Sequence, residues 1–220
     1  MRFVFPLVIG VGGVLVLLAL GTWQVQRLAW KEAMLSDISA RIVGTPVALP
    51  DAPDPENDRY LPVRAEGAFT GPELHQLGQV KGRGPGYRVV QAFETDGRRV
   101  MVDRGFISSG EKDAARKAGA AEIVGNLAWP NERDGFTPEN DLGRNIWFAR
   151  DVPAMAEALD TEPVLIVLRE TDEVNPAILP QPVTTLGIPN NHFQYAVTWF
   201  GLALVWAGMT LWWIIRRRAA

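Results

Sequence analysis

"YAVTWFGLALVWAGMTLWWII", residues 195–215, runs for 21 residues without a charged side chain. At 1.5 Å per residue it makes a helix of roughly 31 Å, the depth of a bilayer's hydrocarbon core. Arg216, Arg217 and Arg218 follow it at once. "NNHFQ" (190–194), with one of the chain's two histidines, precedes it. A second uncharged run, Phe3–Trp23, stands at the other end of the 220 residues. If both runs cross a membrane, the layout is span, polar domain, span.

The first run also has a signal-peptide reading, with Arg2 as the charged start and Ala19-Leu20-Gly21 as small residues for cleavage. Its apolar stretch exceeds the roughly 7–15 residues of a signal core, so a retained anchor is expected. The arginine cluster after the second run puts the C-terminus in the cytoplasm, and two spans return the N-terminus, with Arg2, to the same side. Arg27 and Lys31 then fall outside, against the rule. A long intervening domain translocates largely regardless of such charges. Both termini are therefore expected in the cytoplasm and the central domain on the outer, periplasmic side of the membrane.

All 25 acidic residues lie between Glu32 and Glu173, whereas 16 of the 22 basic ones fall within 32–191, a net charge of −9 for that segment. So acidic a domain is a poor partner for nucleic acid. The absence of cysteine excludes disulfides, thiol chemistry, Cys-based zinc sites and c-type haem attachment.

Trp23–Ser39 reads as a helical continuation of the first run, with Trp23, Arg27 and Trp30 at helical spacing. Five prolines between 44 and 62, among them those of "DAPDPEND" (51–58), mark a linker. Strand patterns occupy 60–69, 86–95, 98–107, 122–129, 145–151 and 164–170, and Asp96-Gly97 is a strong hairpin turn. Helices are expected near 110–118 and at 152–159 after Asp151 as N-cap. No β-α-β rhythm is evident. The expected fold is a membrane protein whose two transmembrane helices form an antiparallel hairpin around an antiparallel, mainly-β (α+β) domain, sandwich or barrel-like. The expected boundaries are 1–31, 32–191 and 192–220.

Pro189 stops what precedes it and Asn190 or Asn191 is a natural N-cap, so His192 falls in the first turn of the second span. The helix dipole there disfavours imidazolium, and a neutral imidazole is what a metal or haem iron takes. His192, Tyr195, Ala196 and Trp199 share a helical face, extended by Trp206 and Trp213. Levelling Arg2 with Arg217 sets Gly12 and Gly13 against Trp206, Gly21 against Trp199, Trp23 and Gln24 near Ala196 and Tyr195, and Arg27 near His192. Large indoles on a glycine face have a plain packing explanation. For His192, two readings stand: a headgroup-level hydrogen-bonding residue, or an anchor for a flat, mostly apolar cofactor. Arg27 is either an interfacial arginine or a partner for a carboxylate of that cofactor.

The chain resembles the surfeit locus protein 1 family. "LGTWQVQRLAWK" (20–31) is similar to the family's segment after its first span. "GYRVVQAF" (86–93) and "VMVDRGFI" (100–107) resemble its central hairpin. "ENDLGRNIWFARDVPAMA" (139–156) resembles its N-x-W-x-x-x-D pattern, and "NNHFQYAVTWFGLA" (190–203) its C-terminal signature, the most specific piece. Ala92 stands where a proline is common and Phe106 where a tryptophan is common. The resemblance implies a non-enzymatic assembly factor for haem-copper cytochrome c oxidase that binds haem a and assists its insertion into subunit I, with haem a synthase as a second candidate partner. It implies His192 as ligand to the haem iron. Tyr195, Trp199, Arg27, Trp23 and Gln24 complete the expected cofactor site, and no catalytic residue is expected.

Other candidate chemistry is thin. His75, in "PELHQLG", reads as a surface or loop residue. "GQVKGRGPG" (78–86) lacks both the G-x-x-x-x-G-K-[ST] pattern of a phosphate loop and an ensuing apolar helix, and reads as a strand-to-strand turn. Asp103-Arg104 reads as a polar pair at a hairpin end, and Ser108-Ser109 has no evident base. The rival to a haem a chaperone is therefore a structural accessory protein that stabilises an oxidase subunit without touching cofactor. A membrane-tethered enzyme is disfavoured by the lack of a nucleophile–base pattern.

Overall fold

In the computed structural model, which describes residues 4–116, 118–173 and 178–218, the chain divides into two compact units. One comprises the residues up to Ile38 and from Thr185 onward; the other is Ser39–Thr184. Arg2, used above for orientation, lies outside the described residues.

The first unit is made of helices. α1 runs over Val4–Ile42, 39 residues or roughly 58 Å. Pro6 is tolerated in its first turn, and the next proline is Pro46. α3 runs over His192–Arg218. Both helices are long and apolar enough to cross a membrane. Their contacts run in opposite order along the two helices. A Cβ built on Gly10 would lie 2.3 Å from Thr210 Cγ2, and one on Gly13 2.5 Å from Trp206 Nε1. One on Gly21 would lie 2.7 Å from Phe200 Cε1.

The second unit is a barrel. Its strands are β1 (Val47–Ala48), β2 (Pro62–Val80), β3 (Gly84–Thr95), β4 (Arg98–Ser108), β5 (Ala120–Ala128) and β6 (Leu165–Thr171), with α2 (Val152–Leu159) before β6. The six-stranded sheet has the order β1-β2-β3-β4-β6-β5, and β5 also pairs with β2. This closes a five-stranded ring of the OB type. The antiparallel expectation needs correction, because the sheet is mixed: β1–β2 and β4–β6 are parallel. The β4–β6 ladder spans only Met101–Asp103 against Leu165–Val167, and residue alternation reports faces, not partners.

The ring's interior is filled by alternate residues of successive strands, among them Val63, Ala65, Val100, Val102, Ile123, Ile166 and Leu168, with Phe69 and Phe93 edge to face. The intervening residues Met101 and Leu165 face outward under α2, against Val152, Met155, Ala156 and Leu159. Burial on both faces explains the unbroken apolar run Val100-Met101-Val102 in β4.

The final turn of α1 belongs to this unit. Ile42 is buried, and its carbonyl accepts from Asn126 Nδ2 at 2.9 Å and from Arg169 Nη1 at 3.3 Å. Two expected elements are replaced. Residues 145–151 form no strand; Trp147 makes a single parallel bridge to Gln76. In place of a helix over 110–118, where Lys117 lies outside the described residues, there is a 3-10 turn, Ser109–Glu111.

Candidate cofactor site at the start of the second apolar helix

α3 begins at His192. The amide of Tyr195 donates to the carbonyl of Asn191 at 3.1 Å, which makes Asn191 the N-cap residue. The half-buried His192 ring meets α1 through one bond: Nδ1 lies 2.7 Å from Oε1 of Gln24. Gln24 is itself buried, at 9% exposure, although its neighbours Trp23 and Val25 are about half exposed or more exposed than buried surfaces allow, at 51% and 47%. An amide oxygen facing Nδ1 suits the tautomer that donates from Nδ1, in which Nε2 is the atom with the free lone pair.

The expected site residues are brought together in part. Gln24, not Arg27, faces His192. Arg27 lies three residues further along α1, exposed, with its guanidinium 4.4 Å above the Trp30 ring. Gly21 packs on Phe200 in place of Trp199. Ala196 is buried and Trp199 half-buried, whereas Tyr195 is 55% exposed. Further along, Trp206 Nε1 donates to the carbonyl of Gly10 at 3.1 Å. This bond uses the close approach that the glycines permit.

The barrel holds charged residues that linear reading placed wrongly. His75 is no surface residue: it lies in β2 at 6% exposure, with Nε2 3.2 Å from Glu73 Oε2 and 3.2 Å from Arg116 Nη2. Glu73 also accepts from Arg116 Nε at 2.8 Å. Burial pushes the Glu73 carboxyl up, but the bonds from His75 and Arg116 and the charges of Arg116 and Arg104 outweigh it and hold it at about 2. Asp103 and Arg104 do not pair as neighbours. Asp103 accepts from Arg88 and Arg150, while Arg104, at 1% exposure, donates to Gln91 and Glu173. Alternation along β4 sends adjacent side chains to opposite faces, so adjacency in sequence is not adjacency in space. Ser108 is spent on Glu111, bonding Oε2 from both its amide and its hydroxyl. Among the described residues no group of three or more His, Cys, Asp or Glu side chains is placed to hold a metal ion.

The model of the SURF1 family matches residues 12–204. Surfeit locus protein 1 of Rattus norvegicus is 28% identical over 224 residues, covering 90% of this chain and 72% of that protein. The protein of the same name from Homo sapiens is 31% identical over 208 residues, with 84% and 69% covered. A SURF1-like protein of Rickettsia prowazekii (strain Madrid E) is 31% identical over 202 residues, with 86% and 82% covered. The matched span takes in the whole barrel, most of α1 and the beginning of α3 with His192 and its Gln24 partner, and on that ground the chain belongs to the SURF1 family.

Proposed function

We propose that this protein is a non-enzymatic assembly factor for haem-copper cytochrome c oxidase of the bacterial inner membrane, carrying haem a as cargo on His192 and assisting its insertion into subunit I. Family membership and two apolar helices of spanning length support the role. In this reading α1 and α3 form an antiparallel membrane hairpin. Both termini are cytoplasmic and the barrel is periplasmic. Subunit I is the partner that receives haem a, and haem a synthase the one that supplies it.

The bond from His192 Nδ1 to Gln24 carries the site. A ligating histidine characteristically donates its other ring nitrogen to an oxygen acceptor, which fixes the tautomer and aims the ligating lone pair. Gln24 is such an acceptor, so the residues present fit an imidazole that would offer Nε2 to the haem iron. Arg27 meets no carboxylate among the described residues. Its stacking on Trp30 leaves the guanidinium edge available to a haem propionate. Trp23, Tyr195 and Trp199 supply aromatic surface for the macrocycle. His192 at the helix start would keep the propionate edge near water, and the farnesyl tail would lie along the helices.

The test is Soret absorbance per mole of protein purified from cells that make haem a, with circular dichroism as folding control. His192→Ala should abolish haem retention. Gln24→Ala should weaken it by roughly 10–100-fold, the usual effect of removing an outer-shell partner. Arg27→Ala removes one charge-assisted bond, worth about 1.5–3 kcal/mol. A colourless wild-type preparation, or full haem content in His192→Ala, would instead support the structural accessory role.

A further inference from the structure

The barrel contains a cavity that the haem reading does not use. It measures about 510 Å³, within the range of small-molecule sites. Arg59, Arg88 and Arg150 line it together with Trp129, Pro182 and Val183.

Two of the arginines are fixed from beneath by one carboxylate. Arg88 Nε donates to Asp103 Oδ2 at 2.7 Å, and Arg150 Nη1 donates to the same oxygen at 3.2 Å. Asp103 is 1% exposed, so this anchor is out of water. Arg88 Nη2 donates to the carbonyl of Gln181 at 3.1 Å, and Arg150 Nε to Glu132 at 3.1 Å. The third guanidinium is different. Arg59 is exposed, donates once, to the carbonyl of Trp129 at 3.3 Å, and pairs with no carboxylate among the described residues.

The wall is equally fixed. Trp129 Nε1 donates to the carbonyl of Pro163 at 3.2 Å. Tyr60, also lining the cavity, has φ of 69°. A bulky side chain in the left-handed region is uncommon and persists where its surroundings over-determine it. Here the Tyr60 amide donates to Leu127 at 2.8 Å, and its carbonyl accepts from Asn126 at 3.0 Å.

Three guanidiniums face two carboxylates, Asp103 and Glu132, so the cavity holds one uncompensated positive charge inside a segment of net charge −9. A long polyanion would be repelled by that segment, whereas a single small anion reaches the cavity. One excess charge suits a monoanion better than a dianion. We infer that this cavity binds an amphipathic carboxylate, its head group on Arg59 beside the Arg88–Arg150 pair and its apolar or aromatic body against Trp129, Pro182 and Val183. The site shares no residue with the one around His192 and stands whether or not haem binds there.

The experiment is calorimetric titration of the full-length protein, in uncharged detergent, with indole-3-propionate, its primary amide and phenyl phosphate. The carboxylate should bind, and the amide should bind at least about tenfold more weakly, the factor expected when one charge-assisted bond is lost. Phenyl phosphate should also be weaker than the carboxylate. Arg59→Gln should lower carboxylate affinity by about tenfold or more with an unchanged melting curve, and Arg59→Lys should recover part of it. Equal binding of acid and amide, full affinity in Arg59→Gln, or no binding of indole-3-propionate each overturns the assignment. Phenyl phosphate binding more tightly than the carboxylate overturns the choice of head group.

Discussion

Gly12 and Gly13 are adjacent in α1, yet alanine at the two positions should have opposite effects. A Cβ at Gly12 meets nothing within 4 Å, whereas one at Gly13 would lie 2.5 Å from Trp206 Nε1 and 2.7 Å from Cε2. Glycine to alanine in a helix interior gains about 1 kcal/mol in propensity. At Gly12 that gain is the whole effect, so Gly12→Ala should be stabilised by up to about 1 kcal/mol. At Gly13 the gain is opposed by overpacking of about 1–3 kcal/mol. The indole must also move from its 3.1 Å bond to Gly10, and interhelical bonds in membranes average about 0.6 kcal/mol with a maximum near 1.7. Gly13→Ala should therefore lose on the order of 1–3 kcal/mol net, and the two variants should differ by about 2–4 kcal/mol. Gly13→Leu should lose more. The assay is reversible unfolding of the purified protein in mixed micelles with increasing dodecyl sulfate, followed by circular dichroism and tryptophan fluorescence. Equal midpoints for Gly12→Ala and Gly13→Ala would falsify the close packing of Trp206 on α1.

The barrel makes a prediction about acid. Glu73 is held at about 2 against an ordinary 4.5, so the stability it contributes is complete above pH 4.5 and is lost as pH falls from there toward 2, at most about 3 kcal/mol. Denaturant unfolding across that window should show Glu73→Gln with a flatter acid limb than wild type; parallel limbs would count against the network. Membrane orientation is tested by reporters fused after Ala220: a cytoplasmic reporter should be active there, and activity of a periplasm-dependent one would reverse the assignment.

What sequence made legible in the barrel was local chemistry. Asp96 and Gly97 adopt φ of 48° and 72°, the pair of positive angles a type I′ hairpin demands. Asp151 caps α2, its carboxylate accepting from the Ala154 amide at 3.3 Å, and the helix covers the expected 152–159. The second half of β2 was illegible because Gly71-Pro72 reads as a break. The strand passes through both residues as a register shift between Thr70 and Glu73, with Gly71 at φ of 69°. Residues 145–151 misled in the opposite sense. Asn145 has φ of 51°, and Trp147 only donates to His75 and accepts from Leu77, a crossing rather than a ladder. The parallel β4–β6 contact depends on a connection through β5 and α2, which residue alternation cannot report.

At the helix pair, levelling the terminal arginines placed Gly13 against Trp206 but missed by one residue at Gly21 and by one turn at His192. On a helix one residue is a rotation of about 100°, enough to exchange Trp199 for Phe200. Three residues exchange Arg27 for Gln24. That exchange sharpens the question asked of His192. An arginine opposite the imidazole would have argued for a carboxylate ligand alone, whereas a buried glutamine oxygen serves two purposes equally well: joining the ends of a long chain, or orienting a ligating ring. The two purposes separate experimentally. If the bond is only a fastener, Gln24→Ala and His192→Ala should each lower the unfolding midpoint of the helix pair by a similar amount, with any haem lost in proportion to the loss of folded protein. If it orients a ligand, His192→Ala should lose haem completely at an unfolding midpoint close to that of Gln24→Ala, which retains some. Soret absorbance plotted against midpoint then gives coincident points for the two variants in the first case and, in the second, two points at similar midpoint but different haem content.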